Sequence, residues 1–232
     1  MDGPNLLLVI LIAFALGLRH ALDPDHLIAV STLVAGADEA KPPRAGRLGA
    51  AWGGGHALAV VVFGLPIIFA HTLLPDVVQR LAETAVGIVI VLLALRILRR
   101  WRQGHYHVHQ HEHGGMRHRH VHSHDRGPAH AHEHIRPRTP LQAFLIGVTH
   151  GVGGSAAVTL LLLASIPSRA WASIALVVFA LGTAISMGIA STVFAWVLER
   201  EVLKPRIRIL IVPLGVAACA FGILYAAGTW MT

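Results

Sequence analysis

The chain has 232 residues, of which 54% are hydrophobic and only 13% are charged, and its mean hydropathy is +0.62. Soluble domains of this size rarely combine so much apolar content with so few charges, so a soluble globular fold is excluded. The formal net charge of +7 is typical of basic loops beside a membrane and does not indicate a nucleic-acid partner.

Several apolar stretches are long enough to cross a bilayer, which requires roughly 20 mostly apolar residues. The first stretch has no basic segment before it and no small-residue cleavage site after it, so we expect it to stay in the membrane. The single cysteine, Cys219, lies in an apolar stretch and predicts neither a disulfide nor a thiolate metal site. The pattern predicts an all-α polytopic membrane protein with six transmembrane helices, near residues 5–30, 48–70, 77–98, 141–165, 171–198 and 207–230.

The first predicted span ends in a polar cluster, Arg19-His20-Ala21-Leu22-Asp23-Pro24-Asp25-His26. Ionisable groups at membrane depth are costly unless they are paired, hydrated or bound to a ligand, so a function is expected. Pro24 lacks an N–H and its ring clashes with the His20 carbonyl, which predicts an interrupted helix. Such a break would turn Asp23, Asp25 and His26 toward one cavity.

The donor atoms of this cluster are imidazole nitrogens and carboxylate oxygens, with no thiolate. Imidazole suits nickel, cobalt, copper and zinc, whereas sites made only of oxygen suit magnesium or calcium. His20, Asp23, Asp25 and His26 are therefore candidate ligands of a divalent transition metal. Asp25 has an alternative role as the N-cap of the next helical segment, and Arg19 is expected to hold the site together.

Two more histidines lie in predicted spans beside glycines, which permit close helix packing. His56 follows Gly53-Gly54-Gly55 in the second span, and His150 precedes Gly151 in the fourth. One such histidine alone is about as often structural as ligating. Taken with the first span, they favour ligation and give the predicted metal site: His20, Asp23, Asp25, His26, His56 and His150.

Residues 99–139, between the third and fourth spans, contain twelve of the seventeen histidines. This composition predicts a disordered, metal-binding loop, with an inert solvated linker as the alternative. Because imidazole binds metal only when neutral, capture should weaken as the pH falls through about 6.5. The expected secondary capture residues are His105, His107, His109, His111, His113, His118, His120, His122, His124, His130, His132 and His134.

The two halves share a pattern at a fixed offset of 130 residues: Ala13, Phe14, Gly17 and His20 recur as Ala143, Phe144, Gly147 and His150. Each half has an odd number of predicted spans, so the copies must insert with opposite topology. This 3+3 inverted repeat is a common plan of secondary transporters. It divides the chain into a first three-helix membrane repeat, 1–98, the His-rich loop, 99–139, and a second repeat, 140–232.

Basic residues concentrate in the loops after the first, third and fifth spans. By the positive-inside rule these loops face the cytoplasm, which places the His-rich loop inside and both termini outside the cytoplasmic (inner) membrane. The expected partners are the lipid bilayer and a divalent metal ion, with a cytosolic metallochaperone and further copies of the chain as candidates and no nucleic acid.

The run Arg19-His20-Ala21-Leu22-Asp23-Pro24-Asp25-His26-Leu27 resembles the signature of nickel/cobalt transporters, and Gly55-His56 resembles that family's second motif. The six-span length, the run from His150 to Ser155 and the His-rich loop resemble the shorter branch, which includes nickel/cobalt efflux proteins and urease-accessory-type permeases. The resemblance implies transport of Ni²⁺ or Co²⁺ as substrate, without a prosthetic group. One departure is Leu181-Gly182-Thr183-Ala184, which lacks the acidic residue of the larger uptake branch.

Three functional hypotheses follow from the sequence. The first is a metal transporter, which is not an enzyme, with efflux preferred over uptake that supplies a metalloenzyme. The sequence has no P-loop motif, so ATP is not expected to be its direct energy source. The second is an intramembrane Asp/His hydrolase acting on lipid phosphates, for which Arg19 alone offers a phosphate-binding charge. The third is a haem electron carrier that uses His20, His56 or His150.

Overall fold

The structure is a computed structural model that describes residues 3–35, 41–70, 75–102, 108–113, 116–121, 139–153, 165–200 and 207–231. Within these ranges the chain forms seven helices and one two-stranded sheet. The helices are α1 (Gly3–His20), α2 (Pro24–Ala35), α3 (Pro42–Ala70), α4 (Asp76–Arg102), α5 (Pro140–Val152), α6 (Arg169–Leu198) and α7 (Ile207–Gly228).

Four of these helices, α3, α4, α6 and α7, are long and apolar enough to cross a membrane, and α1 with α2 makes a fifth candidate as one bent span. The protein is therefore an integral, polytopic helical membrane protein. Five predicted spans have a counterpart among these helices. The predicted span at 141–165 is described only as the 13-residue α5, because residues 154–164 lie outside the described part of the chain.

The first span is interrupted where Pro24 predicts a break. Helix α1 ends at His20, α2 begins at Pro24, and the two are bent by 54°. The last carbonyls of α1 find new donors: the Leu22 amide donates to the Arg19 carbonyl (2.8 Å), the Asp23 amide to the His20 carbonyl (3.1 Å), and the Ser186 hydroxyl of α6 to the Leu18 carbonyl (3.0 Å). These bonds satisfy backbone groups that a broken helix leaves without partners inside the bilayer.

Helix α5 begins with a capping box. The Thr139 hydroxyl accepts from the Gln142 amide and the Gln142 side chain accepts from the Thr139 amide, both at 3.2 Å, and Pro140 occupies the first helical position. At the other end, the Tyr225 hydroxyl of α7 donates to the Gly153 carbonyl (3.0 Å). Both ends of α5 are thus fixed, which positions His150 in its last turn.

Glycines bring the helix backbones into direct contact. A Cβ added at Gly17 of α1 would overlap the Phe179 carbonyl of α6, and one at Gly147 of α5 would overlap the Trp52 carbonyl of α3. Helix α4 packs on α7 in the same way through Gly87 and Gly222. Small residues at helix interfaces are typical of membrane proteins, where close van der Waals packing drives association. The outward faces are apolar, with Leu92 60% and Ile189 57% exposed, as lipid contact requires.

Part of the loop expected to be disordered is a β-hairpin. Strand β1 (Val108–His113) pairs with β2 (Met116–Val121) in antiparallel register, which makes His109 and His120 Cα partners. The two residues between the strands are Gly114 and Gly115, a dipeptide that favours two-residue hairpin turns. The sequence analysis did not predict these two strands, and α4 extends to Arg102. The domain division and the disorder expected for residues 99–139 stay predictions.

Candidate metal centre

The predicted site residues meet at the break between α1 and α2. His20 ends α1, Asp25 and His26 lie in the first turn of α2, His56 lies within α3, and His150 lies in the last turn of α5. All five are buried, with His26 and His56 at 0% exposure. Asp23, between α1 and α2, is half-buried at the edge of the cluster.

Each carboxylate contacts imidazole nitrogens. Asp23 Oδ2 lies 3.0 Å from His20 Nδ1. The two oxygens of Asp25 have different partners, since Oδ1 lies 3.2 Å from His26 Nδ1 and Oδ2 lies 3.2 Å from His150 Nε2. Asp25 thereby joins α2 to α5, two helices from opposite halves of the sequence.

The imidazole rings converge on one another. The ring centroids of His20 and His26 are 4.6 Å apart, those of His26 and His56 5.0 Å, and those of His26 and His150 4.5 Å. Two overlapping groups have ligand atoms within 4.8 Å of one another: His20, His26 and His56, and Asp25, His26 and His150. His26 belongs to both groups.

Several imidazole nitrogens in the described part of the chain are buried without a hydrogen-bond partner. They are Nε2 of His20 and of His26, both ring nitrogens of His56, and Nδ1 of His150. Buried polar atoms are nearly always satisfied in native structures because desolvation without a bond costs roughly 1–3 kcal/mol. Unsatisfied buried nitrogens on four neighbouring histidines are consistent with a ligand between them, and imidazole nitrogens favour a borderline transition metal.

All six predicted site residues are brought together, while their role as metal ligands stays a prediction. The alternative that Asp25 caps α2 is wrong, because α2 begins at Pro24 and its first backbone bond runs from the Leu27 amide to the Asp23 carbonyl (3.0 Å). The Arg19 side chain at the end of α1 is exposed, and the expectation that it holds the site together stays a prediction.

The loop histidines are described only in part. His109, His111 and His113 lie on β1, and His118 and His120 lie on β2. The remaining capture residues lie outside the described residues: His105, His107, His122, His124, His130, His132 and His134.

Two aromatic residues that the sequence analysis missed form walls of the cluster. Trp52 of α3 lies 5.8 Å from His26 and 5.6 Å from His150 between ring centroids. Phe179 of α6 lies 5.3 Å from His20. The spacing of Trp52, one helical turn before His56, could have indicated a shared face, whereas nothing in the sequence links Phe179 to His20.

Comparison with known proteins gives a family match over nearly the whole chain. The family model described as "NicO: High-affinity nickel-transport protein" matches residues 6–229. Urease accessory protein UreH of Bacillus sp. (strain TB-90) is 29% identical over 227 residues, which cover 97% of this chain and 93% of that protein.

A second relative is more distant. The Chloroplast protein FOR GROWTH AND FERTILITY 1 of Arabidopsis thaliana is 26% identical over 177 residues, which cover 75% of this chain and 46% of that protein. No solved structure matches the chain at a significant level.

Proposed function

The chain belongs to the NicO family of high-affinity nickel-transport proteins, and on that premise we propose that it moves Ni²⁺ or Co²⁺ across the inner membrane through the buried cluster of His20, Asp23, Asp25, His26, His56 and His150. The observation that carries the proposal is the set of unpartnered imidazole nitrogens beside an interrupted span. Polar groups at such a position mark ion pathways in membrane proteins.

The chemistry of the cluster supports this substrate class. Imidazole and carboxylate donors bind borderline divalent ions, whereas Ca²⁺ and Mg²⁺ prefer shells made of oxygen. Discontinuous helices near a repeat interface are the usual substrate sites of secondary transporters, and α1 and α2 form such a pair.

Reciprocal packing supports a 3+3 inverted repeat with six spans. Gly17 of α1 approaches the Phe179 carbonyl of α6, while Gly182 of α6 approaches the Phe14 carbonyl. In the other half, Gly147 of α5 approaches the Trp52 carbonyl of α3, while Gly55 of α3 approaches the Phe144 carbonyl. The first span of each half thus packs on the second span of the other half, α1 on α6 and α5 on α3. Two copies of one repeat would make such equivalent contacts.

We propose export as the direction, with both termini outside and the histidines of residues 99–139 facing the cytoplasm. A cytosolic loop with many imidazoles would gather metal from the side where export begins. The second candidate is uptake that supplies a metalloenzyme, which the printed name of the UreH relative, a urease accessory protein, favours. Cells that carry the gene should accumulate less nickel than cells without it if the protein exports the metal, and more if it imports the metal.

The site is tested by single substitutions. His20→Ala, Asp23→Ala and Asp25→Ala should each abolish nickel or cobalt flux while membrane insertion, checked by immunoblot of the membrane fraction, is retained. Gly54→Ala is the matched control, because nothing lies within 4 Å of a Cβ at that position. Normal flux in all three variants would show that the metal crosses elsewhere.

The loop is tested by deletion of residues 105–134. We expect the deletion to change the apparent affinity or the metal sensitivity of cells but to leave transport measurable, because capture by many weak sites precedes the membrane step. Flux titrations against metal concentration check this. Complete loss of transport in a correctly inserted variant would place the loop within the pathway itself.

A further inference from the structure

We propose that imidazoles alone hold the metal in transit, at His20 Nε2, His26 Nε2 and His56, and that Asp23 and Asp25 are positioning residues that do not touch it. This inference deepens the proposed function and rests on it. It divides the predicted ligand set into groups that bind the ion and groups that orient the binding groups.

The two imidazole–carboxylate pairs fix where the ring protons lie. An ionised carboxylate only accepts hydrogen bonds, so the ring nitrogen that faces it must carry the proton. Nδ1 faces Asp23 in His20 (3.0 Å), and Nδ1 faces Asp25 in His26 (3.2 Å). In a neutral imidazole the lone pair then lies on Nε2, which is the buried, unpartnered atom in both histidines.

The distances between the three rings are close to those of a metal-bound set. Metal–nitrogen bonds of about 2.0–2.1 Å place each ring centroid roughly 3.2 Å from the ion, so two bound rings lie about 4.5–5.2 Å apart for angles between right and tetrahedral. The centroid separations are 4.6 Å for His20–His26, 5.0 Å for His26–His56 and 5.3 Å for His20–His56. Two of the three separations lie within that range and the His20–His56 separation lies just above it, so the rings are close to the spacing of a three-imidazole site.

Both oxygens of Asp25 already accept hydrogen bonds from imidazoles. Its Oδ1 is engaged by His26 and its Oδ2 by His150, in a side chain that is only 3% exposed. A buried carboxylate is stable only with such donors. A metal at Asp25 would have to share an oxygen with an imidazole N–H, whose proton it would repel.

Carboxylate partners of this kind are a known feature of metal sites. A ligating histidine almost always donates its other N–H to a carboxylate or carbonyl, which fixes the ring and raises its basicity. Here one short stretch of sequence supplies two such pairs, His20 with Asp23 and His26 with Asp25. A first shell of neutral nitrogens would also discriminate against Mg²⁺ and Ca²⁺, which require oxygen ligands.

The test is cadmium NMR on the full-length protein with nitrogen-labelled histidine, in which glutamine replaces the twelve loop histidines. NMR-active Cd²⁺ is the probe that stands for Ni²⁺. We expect the bound Cd²⁺ to couple to three imidazole nitrogens, with Nε2 as the bound atom of His20 and His26. Coupling to Nδ1 of either residue, or to fewer than three imidazoles, would overturn the assignment. The measurement needs no substitution within the site.

Substitutions separate ligands from positioning residues. Asp23→Asn and Asp25→Asn should keep all three couplings and the cadmium chemical shift, with affinity for Ni²⁺ reduced by about 10–100-fold, whereas His56→Ala should lose one coupling. A large cadmium shift change in Asp25→Asn would show that an oxygen left the first shell. These measurements report bound metal, so loss of flux with three intact couplings would contradict transport and not the ligand assignment.

Discussion

His26 is the side chain on which the candidate centre depends most. Its Nδ1 contacts Asp25, its Nε2 is buried without a hydrogen-bond partner, and its ring lies close to those of His20, His56 and Trp52. The sequence motif placed it beside Asp25, and the residue types alone predicted the class of metal. The sequence could not predict that the carboxylates orient the ligands and do not bind the metal themselves, because this depends on which ring nitrogen each oxygen faces.

Substitutions of His56 and His150 should have different consequences. His56→Ala removes one of the three proposed ligands, an imidazole without a hydrogen-bond partner, and should weaken Ni²⁺ binding far more than a change at a residue outside the ligand set. His150→Gln keeps an N–H donor for Asp25 Oδ2 and should lower Ni²⁺ affinity by no more than about 10–100-fold. Equilibrium binding of Ni²⁺ to each purified variant checks this, and equal loss in both would place His150 among the ligands beside the three imidazoles proposed above.

At the scale of elements, the interrupted first span and the glycine-rich α3 form the site between them. Pro24 predicted the break because its effect on a helix is local. The contact of α3 with α5 could not be predicted from the sequence, because Gly55 and Phe144 are distant along the chain and meet only through tertiary packing. The hairpin of β1 and β2 was missed although alternation around Gly114-Gly115 is a local signal.

Two adjacent glycines of α3 give a matched test of this packing. Gly55→Ala would drive a Cβ into the Phe144 carbonyl of α5, and such overpacking costs typically about 1–3 kcal/mol. We expect lower thermal stability in detergent and loss of flux, because His56 is displaced from the cluster. Gly54→Ala meets nothing within 4 Å and should be neutral or slightly stabilising. Equal behaviour of the two variants would contradict the close approach.

On the scale of the whole molecule, helices from the two halves meet around the buried cluster. The proposed repeat rests in the sequence on four matched pairs, whereas the reciprocal glycine contacts involve Gly55 and Gly182, which the motif at the offset of 130 does not contain. Nothing in the composition could reveal these contacts. Asp25 and His150, one from each half, join the halves at the centre through a hydrogen bond of 3.2 Å.

The proposed topology places both termini on the outer side of the membrane. A periplasmically active reporter, alkaline phosphatase, fused after residue 232 should therefore be active, and a fluorescent reporter that folds only in the cytoplasm should be dark. The basis is the concentration of Lys and Arg in alternate loops. A bright fluorescent fusion together with an inactive phosphatase fusion would show the opposite orientation, with the His-rich loop outside.

The central claim is that the metal crosses the membrane at the buried histidine cluster, and nickel flux into proteoliposomes tests it most directly. Wild-type protein, His26→Ala and Gly54→Ala would be reconstituted at equal density and exposed to a nickel gradient. We predict that flux is lost in His26→Ala, the residue common to both ligand groups, and retained in Gly54→Ala. Wild-type flux through correctly inserted His26→Ala protein would contradict the account.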